Sequence, residues 1–149
     1  MTWDHYQRER LALEWSGLRR HFPEFSFYDT TGNTYVSGDH VSNNGYPYRL
    51  HISLPPGFPD ECPHTYVTSP TPLMNWNRTA TIESYGTSSA MHVWQSDQPG
   101  WVKICTYRPE QWSAAHSLVK VIRKAKIWII AYECHLQDGQ PLENFVMHA

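Results

Sequence analysis

Three prolines within five residues, Pro55-Pro56-Gly57-Phe58-Pro59, divide this chain more firmly than any other feature. Proline lacks the amide N–H that a sheet ladder needs, so the run cannot continue a central strand and the chain must leave the sheet there. Upstream, FSFYD around Phe25, TYVSG around Tyr35 and YRLHISL from Tyr48 to Leu54 alternate or run apolar between Gly, Asn and Pro signals, as antiparallel strands do. Thr30-Thr31-Gly32-Asn33 and Asn43-Asn44-Gly45 carry turn chemistry between them. Downstream of the prolines, His64 to Thr68 can re-enter the sheet as a fourth strand.

Helical spacing brackets these strands. From Asp4 to His21 the apolar residues Leu11, Trp15, Leu18 and Phe22 fall at i, i+4, i+7 and i+11, one stripe of a helix that Pro23 stops. Near the other end, Leu118, Val121, Ile122, Ala125, Trp128, Ile129, Tyr132 and Leu136 keep helical spacing up to Gly139, with Ser113 as the expected N-cap. From Ser69 to Ala90 the chain is polar, contains Pro70, Pro72, Asn75, Asn77 and Gly86, and has no clean period. GWVKICTY, a short extended run, follows and ends near Tyr107. The expected order is a helix, a four-stranded antiparallel meander, a long irregular segment holding a cysteine, and a long helix: an α+β domain over residues 1–149. Pro141 to Ala149 carries too little pattern to assign.

Composition narrows the chemistry. A chain of 149 residues, 40% hydrophobic and 14% aromatic, can bury a core without disulfide staples. Net charge is −2 and no basic cluster is long enough to track a phosphate backbone, so nucleic acid is not an expected partner. The opening MTWDHYQRERLALEW lacks the succession of a secretory signal, and the longest apolar run, Ile127 to Tyr132, is far too short to span a bilayer. A soluble cytoplasmic protein with no membrane partner is expected. Cys62, Cys105 and Cys134 are odd in number and unrelated in spacing, which disfavours a disulfide framework. Pairing Cys62 with His64 and Cys134 with His135 matches no closed zinc site, so no metal is expected. No GxGxxG or P-loop pattern is present, and no cofactor is expected.

Three segments together resemble the ubiquitin-conjugating enzymes. YPYRLHISLPPGFPDECPHTYVTSP, Tyr46 to Pro70, looks like that family's strand, proline-rich turn and next strand. GWVKICTYRPEQWSAAHSLVKVI, Gly100 to Ile122, is similar to its Gly-x-x-Ile-Cys followed by Trp-Ser and a helix. AKIWIIAYECHLQDG, Ala125 to Gly139, resembles the closing helix of bacterial members. With the leading helix the likeness in element order covers nearly the whole chain, and Cys105 seven residues before Trp112-Ser113 is its best single signature. The resemblance implies a ubiquitin-conjugating-enzyme-like fold in which Cys105 accepts a C-terminal acyl group as a thioester and passes it to an amine. A thiol suits that exchange because a thioester forms from another thioester near isoenergetically and stays reactive toward amines, with the thiolate as the attacking species.

One departure stands out. Most eukaryotic members carry His-Pro-Asn ahead of the cysteine, with the Asn stabilising an oxyanion. This chain has Met91-His92-Val93-Trp94-Gln95-Ser96-Asp97 there, without an Asn. His92 is the counterpart of the motif's histidine, more structural than catalytic; Asp97 is a candidate to orient or deprotonate an incoming amine, and Gln95 to donate to an oxyanion. His116, in the first turn of the last helix, either faces the cysteine or faces water. The missing Asn and the final helix point toward bacterial stand-alone members, including those that accompany cyclic-oligonucleotide antiphage signalling. For such a protein the resemblance implies as donor the C-terminus of a cGAS-like nucleotidyltransferase or of a ubiquitin-like protein, and activation by a separate activating enzyme or another acyl source.

Two other readings compete. A non-catalytic binding module of the same fold would use its aromatic residues, Trp3, Trp76, Trp94, Trp101 and Trp112 among seven tryptophans, as an interface and would have no need of Cys105. An unrelated cysteine hydrolase would place its nucleophile at a helix start beside a base, whereas a loop separates Cys105 from the helix here. Cys62 in its turn and Cys134 on the helix read as structural, and Arg123, Lys124 and Lys126 as a solvated basic face.

Overall fold

A computed structural model describes residues 2–146. The chain is α+β: an N-terminal helix, an antiparallel sheet and a long C-terminal helix around one hydrophobic cluster. Helix α1 spans His5–His21 and is capped by Asp4, whose carboxylate accepts from Gln7 N at 2.8 Å while Gln7 Oε1 accepts from Asp4 N at 3.0 Å. The same Gln7 donates to the carbonyls of Pro56 and Phe58 at 2.7 and 2.9 Å, tying the helix start to the proline-rich turn.

The buried line of α1 differs from the apolar stripe. Leu18 is buried, but Trp15 is 49% exposed, with the Arg19 guanidinium 4.6 Å from its ring, and the line facing the protein runs through Gln7, Leu11, Glu14 and Leu18. Two of those four are polar, so hydrophobic spacing alone could not find the face. Glu14 earns its burial by accepting the N–H of Leu118 at 2.8 Å and an Arg10 hydrogen bond at 2.7 Å.

The sheet has six strands, not four: β1 (Ser26–Tyr28), β2 (Tyr35–Val41), β3 (Pro47–Ser53), β4 (His64–Ser69), β5 (Val93–Trp94) and β6 (Val102–Ile104), ordered β1-β2-β3-β4-β6-β5 with all neighbours antiparallel. The expected meander is its first four strands. The two added strands, of two and three residues, are too short to show alternation, but they cover the edge that β4 would otherwise leave open. Val36, Leu50, Ile52, Val67, Val102 and Ile104 line the face that packs on α2. The opposite face carries a chain of rings: Tyr28 on Tyr35 at 5.0 Å, Tyr35 on His51 at 4.4 Å, then Trp101 against His51 and Tyr66 at 4.7 and 5.4 Å.

Helix α2 spans Leu118–Asp138 and starts later than expected. Ser117, not Ser113, is its N-cap, accepting from Lys120 N at 3.2 Å; Ser113 lies in the preceding loop and accepts from Ala115 N. His116 therefore precedes the helix rather than sitting in its first turn. Gly139, at φ +76°, ends α2 as expected, and a Cβ there would meet the Trp76 ring at 2.9 Å. Of the predicted stripe, Leu118 through Tyr132 are buried, while Leu136 remains 38% exposed. Beyond the helix a short turn seats Leu142 in the core; residues 147–149 of the unassigned tail lie outside the described residues. No helix among the described residues is long and apolar enough to cross a membrane.

Candidate active site

Strand β6 delivers Cys105. Its backbone N–H extends the pairing with β5 by donating to the carbonyl of His92 at 2.8 Å, and its side chain is partly buried. The carbonyl of His92 also accepts from the indole N–H of Trp128 on α2 at 3.0 Å. His92 is buried and adopts φ +53°, a left-handed kink at the entry to β5. The sheet edge and α2 are thus joined through one carbonyl directly behind the cysteine.

The proline-rich turn and the Trp-Ser loop meet nearby. Trp112 donates its indole N–H to the carbonyl of Pro59 at 2.9 Å, and the rings of Tyr107, Trp112 and His116 pack together with centroids 4.8 to 5.7 Å apart. Arg10 on α1 holds the loop from outside by donating to the carbonyls of Ala114 and His116. The Nδ1 atom of His116 is buried without a hydrogen-bond partner. The imidazole therefore serves as a ring in this packing.

Cys105 borders two clefts. One, of about 270 Å³, is lined by Thr87, Ser88, Ser89, His92, Trp94, Arg108 and Glu110. The other lies between His92, Arg108, Gln111, Lys124 and Trp128, with Tyr107 at its wall. Burial pushes the Cys105 thiol above the usual cysteine range; Arg108, Lys124 and a hydrogen bond from the Trp94 side chain act in the other direction, and Glu110 adds to the rise. Cys62 has less help. Burial pushes its thiol up to about 11, the neighbouring Cys105 adds to the rise, and only Lys103 opposes it; its thiol donates to the carbonyl of Pro63 at 3.4 Å.

Alkylation checks this ordering. The thiolate is the species that reacts with iodoacetamide, and a raised pKa lowers its fraction at neutral pH. With its pKa at about 11, Cys62 is about 99% protonated at pH 9. The expected outcome is faster carbamidomethylation at Cys105 than at Cys62 from pH 7 to 9, both rates rising with pH, as read by peptide mass spectrometry. Equal or reversed rates would contradict the electrostatic arrangement around Cys105.

The structure brings Cys105 and His92 together, but not Asp97. Asp97 sits in an exposed loop where it accepts from the Tyr66 hydroxyl at 2.7 Å, and that bond holds its carboxyl below the usual carboxylate range, aided by Lys103 and His64. It lines neither cleft that Cys105 borders. Gln95 is exposed and belongs to a separate cavity of about 280 Å³ with Cys62, His64, Trp94 and Lys103. Trp94, Arg108 and Lys124 were missed as neighbours of the cysteine. Arg108 follows Cys105 by three residues and was within reach of the sequence; Lys124 was hidden in a charged stretch that reads as solvated. Compared with family models, with curated proteins and with solved structures, the chain matches none.

Proposed function

We propose that this protein is a ubiquitin-conjugating-like cysteine acyltransferase, which carries the C-terminus of a donor protein as a thioester on Cys105 and transfers it to an amine. The observation that carries the reading is the setting of Cys105: a partly buried thiol at a strand end, bordering two clefts, where the cationic Arg108 and Lys124 and a Trp94 hydrogen bond partly offset the rise that burial imposes on its pKa. The segments that resemble the family also meet around it through the Trp112 bond to Pro59 and the Trp128 bond to His92. A cleft walled by Thr87, Ser88 and Ser89 suits an extended tail, whose backbone can bond to hydroxyls without demanding large side-chain pockets. In this reading the fold is the ubiquitin-conjugating type with its edge extended by β5 and β6.

Arg108, Lys124 and the Trp94 indole are the groups that take over oxyanion stabilisation from the missing Asn, since each presents a donor or positive charge toward the sulfur. Asp97 acts at a distance, if an acceptor reaches the loop it occupies beside Tyr66. A cysteine hydrolase is less well served: α2 starts at Leu118, so Cys105 precedes that helix by a loop rather than sitting at its start. The donor implied is a cGAS-like nucleotidyltransferase or a ubiquitin-like protein, loaded with the help of a separate activating enzyme, in bacterial antiviral defence.

The test is the intact mass of the protein isolated from its native host under acidic, non-reducing conditions, beside a Cys105→Ser form. A mass adduct that reductant removes from the parent, and that persists as an ester in the serine form, is the expected result and weighs the donor directly. Finding only free thiols in cells challenged in the presence of their native partners would favour the non-catalytic binding module.

A further inference from the structure

We propose that the groove between the β2–β3 turn, the loop after β4 and the end of α2 binds a proline-rich peptide segment that carries an acidic residue. The groove includes Ser69 at the end of β4, whereas Cys105 follows the strand that pairs with the start of β4. None of its lining residues borders the clefts of Cys105, so this inference stands apart from the carrier reading.

The groove has a volume of about 710 Å³, and the buried Tyr48 and Tyr132 form its floor with ring centroids 6.5 Å apart. Both hydroxyls are engaged from behind: Tyr48 donates to Glu133 at 2.6 Å and Tyr132 to the carbonyl of Met74 at 2.7 Å. The floor therefore offers ring faces rather than polar groups. At the rim stand Trp76, 51% exposed, and Tyr46, 62% exposed, with Arg78 beside them. Trp, Tyr and Arg are the side chains that most often carry the binding energy where proteins meet.

Trp76 is fixed in place before any ligand arrives. It sits on a short hairpin closed by the Met74–Thr81 bridge. There the buried Asn75 accepts from the N–H groups of Thr79 and Ala80 and donates to the hydroxyls of Thr79 and Tyr85. The backbone N–H of Trp76 donates to Nε2 of the buried His135 at 3.2 Å, and the other nitrogen of that ring donates to the carbonyl of Gln140 at 2.7 Å. The missing Cβ of Gly139 leaves the space in which the indole lies. An anchor held this firmly loses little rotamer freedom on binding.

The groove's chemistry selects its occupant. Pro47, Pro70 and Pro72 have no N–H, so an added β-strand finds no ladder along these walls. The indole N–H of Trp76 and the guanidinium of Arg78 make no hydrogen bond or ion pair among the described residues, and both can only donate. A proline-rich segment in the polyproline II form is the matching partner. Its carbonyls have no internal partners, its prolines need no acceptor, and its fixed φ leaves little entropy to lose when it docks on aromatic rings. Arg78 is the one charged side chain among the described residues that line the groove, and its charge reaches the Tyr132 ring on the floor. An acidic residue in the segment complements it.

The probes would be soluble peptides of alternating proline and alanine that carry a single glutamate at varied positions, with binding followed by fluorescence anisotropy. Matched peptides with glutamine for glutamate, or with alanine for every proline, would run beside them. The acidic proline-rich peptides should bind the parent, and Trp76→Ala should weaken them about tenfold or more. Arg78→Gln should weaken them about threefold and abolish the preference for glutamate over glutamine. Where Trp76→Ala folds poorly, a shift of the Trp76 indole N–H resonance on peptide addition to the parent supports the site, and no shift overturns it. Absence of binding across the series, equal binding of the proline-free peptides, or equal binding by Arg78→Gln with no loss of preference would each overturn the proposal. A concentration-dependent dimer of the parent that Trp76→Ala abolishes would overturn it too, and would give the groove to a second copy of the chain.

Discussion

Cys105→Ala removes the reductant-labile adduct to background while Cys62→Ala and Cys134→Ala retain it, and all three proteins fold. The expectation follows from where each sulfur sits. Cys105 borders both clefts and is the thiol toward which Arg108, Lys124 and Trp94 act. Cys62 faces a different cavity and donates to its neighbour's carbonyl, and Cys134 lies on α2 near the end of the helix. No other side-chain type at position 105 can take part in thioester exchange, so the effect on the labile adduct is complete rather than graded.

The cost in stability is small by comparison. Cys105 is only partly buried and its backbone bond to His92 survives the substitution, so a loss of about 1 kcal/mol is expected, or about 2–4 °C in melting temperature for a chain of this size. The measurement is paired: intact mass for the adduct, and thermal unfolding for the fold. An adduct that survives Cys105→Ala but vanishes with Cys62→Ala would move the carrier role to the other thiol.

The legible part of the site was the part written in local chemistry. The proline run announced the exit from β3, Gly139 announced the end of α2, and the cysteine stood out by its sequence surroundings. Sequence was less informative where a residue's role depends on a distant partner. Glu14 broke the apolar pattern of α1 because its burial is compensated by Leu118 and Arg10, one of them more than a hundred residues away. Strands β5 and β6 were obscured by their length, since alternation needs more residues than they have. Lys124 is bound to the site by a ring contact to Tyr107, which no spacing along α2 could have indicated.

Glu14→Ala should be the most destabilising single change in the frame that holds the cysteine loop. The Glu14 side chain is 5% exposed and that of Arg10 is 18% exposed, so their contact at 2.7 Å is largely shielded from water. One carboxylate oxygen serves Arg10 and the other accepts the N–H of Leu118, the first residue of α2, whose amide has no partner within the helix. Removing the carboxylate strands a buried N–H and leaves a guanidinium without its counter-charge. Breaking such a pair from one side costs about 3–5 kcal/mol, because the remaining charge keeps its desolvation penalty. The expected drop in melting temperature is of order 10 °C.

Glu14→Gln separates the two contributions. The amide oxygen can still accept from Leu118, while the charge that balances Arg10 is lost, so its cost should fall below that of alanine. Because the same Arg10 donates to the carbonyls of Ala114 and His116, the damage should extend to the ring cluster of Tyr107, Trp112 and His116 beside the cysteine. Well below its melting temperature, Glu14→Ala should therefore alkylate faster than the parent at Cys62, whose burial the loop and its Tyr107 ring help to supply. A variant as stable as the parent, with unchanged alkylation at both thiols, would mean that Glu14 is a bystander and that the packing of α1 on α2 holds the loop without it.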